Sequence, residues 1–397
     1  MSGPSGVASQ DSGVKAPASL VLLQPYVPEY RSALFDRVHS QLAHFGIRFS
    51  VLAGEGSHAQ KARLDAVDEA EWLVTVRQKD VPVGKWTLQL RQVLGPLKQL
   101  RPEAVILEQA VSNLENYSAL LYAKLCGVRV GFWGHGVTYT KGRSATREFL
   151  KAFVSRRGSW FFVYTDGGAR ELERKGFPPN QISVLRNSND TSRLRRDLDR
   201  LSDELISDVC LNLGLTQGKT AIFLGRVDED KGIDFLVKSA QLVAEQDPDF
   251  VLMVCGEGEA STRVRRLADA GGPIRCLGRV TGESKAIALA SASFMTIPEW
   301  VGLAAVDSLA ARVPIITCES DTHAPEFEYL RSGANCIVTR HNPDAYAQEI
   351  LRLMASESER DRLAEQCRVD SDSLSVEEMA DRFIDGVHAW FRSSGSA

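Results

Sequence analysis

"SFMTIPEWVGLAAVDSLAARVPIITC" (residues 293–318) holds one complete structural unit. "SFMTIP" reads as a short apolar strand, Glu299-Trp300-Val301 as a loop, Gly302 as a tight entry, "LAAVDSLAAR" as a helix of small apolar residues, and "VPIITC" as a second strand. Strands apolar on every side, joined by a helix, imply a parallel pair covered on both faces. Two acids interrupt the apolar run: Glu299 stands just before the glycine, and Asp307 lies eight residues on, about one and a half turns into the helix. The amides of Gly302, Leu303 and Ala304 would form the helix N-terminus, a ready anion site. Among Ala304, Ala305, Val306, Leu309 and Ala310, an unpaired carboxylate at Asp307 is costly unless it meets a ligand or a cation.

The same alternation runs along the chain. "SLVLLQPYV" (19–27), "RFSVLAG" (48–54), "AVILEQA" (104–110), "RVGFWGH" (129–135) and "WFFVYT" (160–165) are strand candidates of the first half. "TAIFLGR" (220–226), "FVLMVCGEG" (250–258), "IRCLGR" (274–279) and the two strands of the opening stretch are those of the second. Two series of about five strands, separated by helical patterns, predict an α/β protein of two doubly wound, Rossmann-like domains, at 19–195 and 196–375, facing across a cleft. The polar stretch "NSNDTSRLRRDLDRLSDE" (187–204) marks the boundary. Residues 1–18 read as a disordered tail without the apolar core of a signal peptide. The last helix (376–397) carries Met379, Phe383, Val387, Trp390 and Phe391 on one face, and either docks on its own domain or crosses back to the first.

At 397 residues, 44% hydrophobic and 25% charged, the composition is that of a soluble globular protein. Seven scattered cysteines without a CxxC read as reduced thiols of a cytoplasmic protein, not as a disulfide or zinc framework. The net charge of −4 conceals a basic first half: residues 1–190 hold 24 Lys and Arg against 17 acids, the remainder 23 against 34. Two domains facing different partners would carry such an asymmetry.

Ligands of open parallel sheets bind at the carboxyl ends of the strands. There, "FLGRVDEDKGIDFL" sets Arg226 and Lys231 on a strand-to-helix loop, a planar fork and a point charge suited to a diphosphate. No Walker A spacing is present. Gly256 and Gly258 of "VCGEGEAS" let backbone pass close to a ligand or a neighbouring loop. Asp228 and Asp230 spell D-x-D but sit between two cations, so they read as solvated and no metal is expected. In the first half, glycines flank His135 in "FWGHG" and let its ring face the cleft, and Tyr30-Arg31 would stand at the cleft mouth.

Taken together, "FLGRVDEDKGIDFL", "CGEGE", "LGRV" and "PEWVGLAAVDSLAARVPIITCESDTHAPEFEYLRSGANCIV" resemble the GT-B-fold retaining glycosyltransferases, family four in the usual sequence classification, over roughly 20–390. "VPEYRSALFDRV" and "FWGHG" resemble members that build bacterial surface polysaccharides and glycolipids. The resemblance implies transfer of a hexose from a UDP- or GDP-linked donor to an acceptor hydroxyl, with no other cofactor and no metal. It makes His135, Glu299, Arg226 and Lys231 the catalytic set. It places Arg226, Lys231 and the Gly302–Ala304 amides on the donor diphosphate, Asp307 on the ribose, Glu299 on the donor sugar, Arg279-Val280 at the base, and Tyr30, Arg31 and His135 on the acceptor side. Two positions depart from the family. Asp307 is one methylene shorter than the usual Glu, so the ribose contact is water-bridged or the helix lies closer. Arg312 replaces a glycine, so the turn after that helix is less sharp or strained.

A nucleotide-sugar epimerase of the same fold and a non-catalytic partner subunit are the competing readings. A nucleic-acid partner is not expected. "KGRSATREFLKAFVSRRGSWFF" (141–162) reads either as a half-buried helix or as a basic amphipathic segment resting on an anionic membrane; the second makes the protein peripheral on the inner face, with a lipid-linked acceptor.

Overall fold

The computed structural model describes residues 18–61, 65–83, 86–110, 112–136 and 157–393. Thirteen of its strands form two all-parallel sheets. The first consists of β1 (Ala18–Gln24), β2 (Ile47–Ala53), β3 (Leu73–Thr75), β6 (Ala104–Glu108), β7 (Arg129–Gly134), β8 (Trp160–Val163) and β9 (Ile182–Val184), in the order β3-β2-β1-β6-β7-β8-β9. The second consists of β10 (Thr220–Leu224), β11 (Val251–Cys255), β12 (Ile274–Gly278), β13 (Phe294–Thr296), β14 (Ile315–Cys318) and β15 (Cys336–Thr339), in the order β12-β11-β10-β13-β14-β15. A hairpin of β4 (Gln78–Val83) and β5 (Trp86–Arg91) stands apart from both. In each sheet the order reverses beside the first strand, which opens a crevice at the carboxyl edge.

The sheets hold seven and six strands, not about five each. The additions β3, β9 and β15 are edge strands of three or four residues, too short to show a period against their flanks. The central strands have the predicted character: β10 and β11 are buried along their whole length. The polar stretch 187–204 is not loose chain. Asp190 caps the helix Thr191–Asp199 by accepting from the Arg193 amide, and Leu194 enters the second domain's core.

The helix Val376–Ser393 packs on the first sheet, with Met379, Phe383, Val387 and Trp390 in that sheet's core. Four such side chains, each stabilising by roughly 1.5–3 kcal/mol when fully buried, hold the chain's end to its beginning. Gly386 permits the approach, since a Cβ there would fall 2.4 Å from Ser183 Oγ. Arg312 adopts the left-handed conformation (φ 59°, ψ 34°) that a glycine would otherwise supply. The turn keeps its sharpness at a cost of about 1–2 kcal/mol in strain.

Candidate active site

The loops after β10, β11, β12 and β13 enclose a cavity of about 660 Å³. Arg226, Lys231, Arg279, Val280, Gly302, Leu303, Ala304 and Asp307 all line it, so eight residues singled out in the sequence meet on one wall. The helix Ala304–Ala311 opens at this wall, with Leu303 as its N-cap. Asp307 therefore lies in the first helical turn, nearer the helix start than one and a half turns.

Arg226 Nε donates to Asp228 Oδ2 at 2.5 Å, and Asp228 Oδ1 accepts the Glu259 amide at 3.0 Å. Asp228 is therefore not the solvated half of a D-x-D; it ties the loop after β10 to the loop after β11, while Asp230 stays exposed. Gly256 serves the same junction: a Cβ there would fall 1.7 Å from the Gly225 carbonyl. Its close approach is to a neighbouring loop.

Lys231 ends a short 3-10 turn, and its Nζ donates to the Trp300 carbonyl at 2.5 Å. Trp300 holds φ 48°, a strained value for a bulky residue. Burial lowers the Lys231 ammonium to about 8, against the pull of Asp230, Asp228 and Glu326. This cation is held in a site that does not fully compensate it.

Asp307 is 7% exposed and already has its cation. Lys285 Nζ donates to its Oδ1 at 2.9 Å, and Asn189 Nδ2 to the same oxygen at 3.3 Å. Lys285 also lines the cavity. Sequence reasoning missed it, although a lone lysine in the apolar helix Gly282–Ala290 carried the same signal as Asp307.

Glu299 stands beside this wall, not on it. His341 Nε2 lies 2.7 Å from its Oε1, and a Cβ added at Gly232, next to Lys231, would fall 3.3 Å from the same oxygen. His341 was also missed.

On the first-domain side, His135 is exposed at the carboxyl end of β7, its ring edge-on to Tyr164 with centroids 4.7 Å apart. Tyr30 is 45% exposed, as a mouth residue would be. Arg31 is not at the mouth. It is 6% exposed, its Nη2 donates to Asn187 Oδ1 at 2.6 Å, and its guanidinium packs on the rings of Tyr30, Trp133 and Tyr164. Cation–π contacts and the amide oxygen replace the water that an arginine at the mouth would keep. None of these three residues lines the 660 Å³ cavity.

Residues 213–370 match the family model for glycosyl transferases group 1. The second domain belongs to that family. The phosphatidyl-myo-inositol mannosyltransferase of Mycobacterium tuberculosis (strain ATCC 25618 / H37Rv) is 30% identical over 155 residues, 38% of this chain and 40% of that one, so the match spans well under half of the relative's length. The D-inositol 3-phosphate glycosyltransferase of Nocardiopsis dassonvillei is 27% identical over 251 residues, 59% of this chain and 56% of that one. Anabaena Alr3699/HepE, solved in complex with UDP, superimposes with a TM-score of 0.67 at 14% identity, over 94% of this chain and 100% of that one. Sucrose-phosphate synthase from Thermosynechococcus elongatus gives 0.68 at 14% identity, over 95% and 100%. The fold is GT-B.

In this GT-B chain the run "HAPEFEYL" (323–330) joins the two domains. His323 Nδ1 accepts the Val301 amide at 3.1 Å, which fixes the loop before the helix Ala304–Ala311. Glu326 pairs with Asn187, and burial pushes its carboxyl up. Glu328 accepts the Gly167 amide at 2.7 Å and the Thr165 hydroxyl at 3.1 Å, capping a first-domain helix from across the cleft. Arg279 Nη2 adds a contact to Glu29 at 3.3 Å. The basic segment 141–162 lies outside the described residues up to 156. Among the described residues no helix is long and apolar enough to cross a membrane, and no His, Cys, Asp and Glu cluster could hold a metal.

Proposed function

We propose that the protein is a hexosyltransferase that moves a sugar from a UDP- or GDP-linked donor to an acceptor hydroxyl, in the synthesis of a surface polysaccharide or glycolipid. The observation that carries this reading is the convergence of Lys231, Arg226 and the start of the helix Ala304–Ala311 on one cavity wall. These are three kinds of donor for one diphosphate, and they gain most as the leaving nucleotide gains charge.

Asp307 and Lys285, held together at the other part of the wall, would take the ribose hydroxyls, and Arg279-Val280 the base. Glu299, oriented by His341, would hold the donor sugar next to Lys231. His135 and Tyr30 would face the acceptor. The protein cations supply the charge that a metal supplies elsewhere, so transfer is metal-independent, and its anomeric retention follows the resemblance. The relatives' names, a phosphatidyl-myo-inositol and a D-inositol 3-phosphate enzyme, support a polyol acceptor, lipid-linked or free. A lipid-linked acceptor would set a cytoplasmic enzyme at the inner face of the membrane.

The test is a thermal-shift screen of UDP- and GDP-sugars, because a bound donor raises apparent stability by mass action. It is followed by transfer assays with inositol and lipid acceptors. An epimer formed from donor alone would transfer the assignment to the epimerase reading, and no shift with any nucleotide-sugar would transfer it to the non-catalytic one.

A further inference from the structure

Twelve large apolar side chains stand exposed among the described residues, and six of them, Leu88, Leu90, Leu94, Tyr117, Leu121 and Leu125, fall within one stretch of the first domain. They sit on β5 and the helices Leu94–Leu100 and Leu114–Cys126. The helices pack together, with Tyr122 Oη donating to the Leu97 carbonyl at 3.1 Å. Leu90, Leu94, Leu114 and Ser118 line one groove of about 420 Å³. Residues 114, 118, 121 and 125 follow the four-then-three spacing of a single helix face. The groove thus continues as a row onto Leu121 and Leu125, 59% and 76% exposed. Burying Ala119, Tyr122 and Ala123 satisfies the core, so nothing in the fold requires leucine on the outward face.

The exposed charges of the two helices, and of Arg101 just after the first, are cationic, while Glu103 two residues further on is exposed and pairs with Arg129. Lys98, Arg101 and Lys124 are exposed. The sole carboxylate of the two helices, Glu115, is buried, 2.7 Å from Arg91 Nη1. We propose that this face rests on an anionic bilayer, its leucines in the interfacial region and its cations at the lipid phosphates. The surface is built from residues 88–125 and draws on none of the 141–162 stretch. Its row starts at Leu114, just past the carboxyl edge of β6, where a lipid-presented acceptor would enter. The proposal deepens the lipid-acceptor reading, but bilayer binding is measured without transfer.

The experiment is flotation at low salt with vesicles of phosphatidylglycerol and phosphatidylcholine, against phosphatidylcholine alone. The wild type is expected to float with the anionic vesicles. The double variant Leu121→Glu/Leu125→Glu is expected to partition on the order of 100-fold more weakly, each leucine adding about ten-fold through its buried area. Leu211→Glu removes a leucine that is 81% exposed on the second domain, and is expected to leave flotation unchanged. The thermal shift with UDP or GDP should be the same in all three proteins. A wild type shifted by neither nucleotide would strike the donor reading and leave the flotation result standing. A wild type that stays at the bottom of the gradient overturns the bilayer proposal, and so does a double variant that floats like the wild type. A wild-type dimer that the double variant dissolves also overturns it, by giving the face to a second copy of the chain.

Discussion

The second domain brings four cations, Arg226, Lys231, Arg279 and Lys285, to one cavity wall. The first domain brings exposed rings at Tyr30 and His135 and a guanidinium, Arg31, that is already enclosed by aromatic faces and Asn187. The family model matches the cationic side, residues 213–370, and does not extend to the aromatic side. A diphosphate presents the same chemistry whatever acceptor receives the sugar, so one arrangement of donors suffices for many enzymes. An acceptor presents different chemistry in each enzyme, and the wall that meets it must differ accordingly.

The sharpest way to break this contrast is Lys231→Met. If the cationic wall works on the leaving group, kcat/KM should fall by about 2–4 kcal/mol, roughly 30- to 1000-fold. The ligand-free protein should become more stable, because a desolvated ammonium with Trp300 O as its hydrogen-bond acceptor has been replaced by an apolar chain. Melting curves and steady-state rates measure both. A variant that loses activity and stability together would make Lys231 a structural residue.

The same group sets a pH dependence. Its folded value of about 8 lies below the ordinary 10.5, so the unfolded chain binds more protons than the folded one between those limits. Stability of the free protein should therefore rise with pH from about 8 to about 10.5, while kcat/KM falls above 8 as the ammonium is lost. Opposite slopes in urea melts and rate profiles are the signature, and parallel slopes would assign the rate change to unfolding.

Next in size is Lys285→Met. It leaves the buried Asp307 with Asn189 alone. Donor KM should rise by about 1.5–3 kcal/mol equivalent with kcat unchanged, since the ribose does not react. Calorimetry with UDP and 2′-deoxy-UDP is the check: the variant should lose the preference for the ribonucleotide. A wild type that binds the two equally would remove the ribose from this pair.

Arg226 and Lys231 could be placed on the cavity wall from sequence because each adjoins a glycine in the loop after β10, and Asp307 because it interrupts a helix of small apolar residues. Lys285 and His341 were missed because each acts through a partner brought from another element. The Arg31 error has the same origin. A residue after a strand reads as a mouth residue until the packing of Trp133, Tyr164 and the 323–330 segment around it is known. The edge strands β3, β9 and β15 escaped because three or four residues carry no measurable period, and the six-residue strands of the β4–β5 hairpin because they are rich in polar residues and largely exposed, whereas β10 and β11 announce themselves as unbroken apolar runs.

The smallest effect sharpens the contrast most, because it lies between the two walls. Glu328 caps the Thr165–Gly167 end of a first-domain helix while belonging to the second domain. Glu328→Ala should lower stability by about 0.5–1 kcal/mol, the usual value of a charge at a helix N-terminus. The loss should shrink in high salt, since the side chain is 32% exposed. Donor affinity should not change, because Glu328 does not line the cavity. Gly167 supplies the control. A Cβ there would fall 1.9 Å from Glu328 Oε1, so Gly167→Ala should displace the carboxylate and cost as much as removing it. In the Glu328→Ala background the same methyl finds space, and Gly167→Ala should then cost little. A double-mutant cycle in urea therefore yields a coupling energy if the cap joins the domains in solution, and strict additivity if it does not.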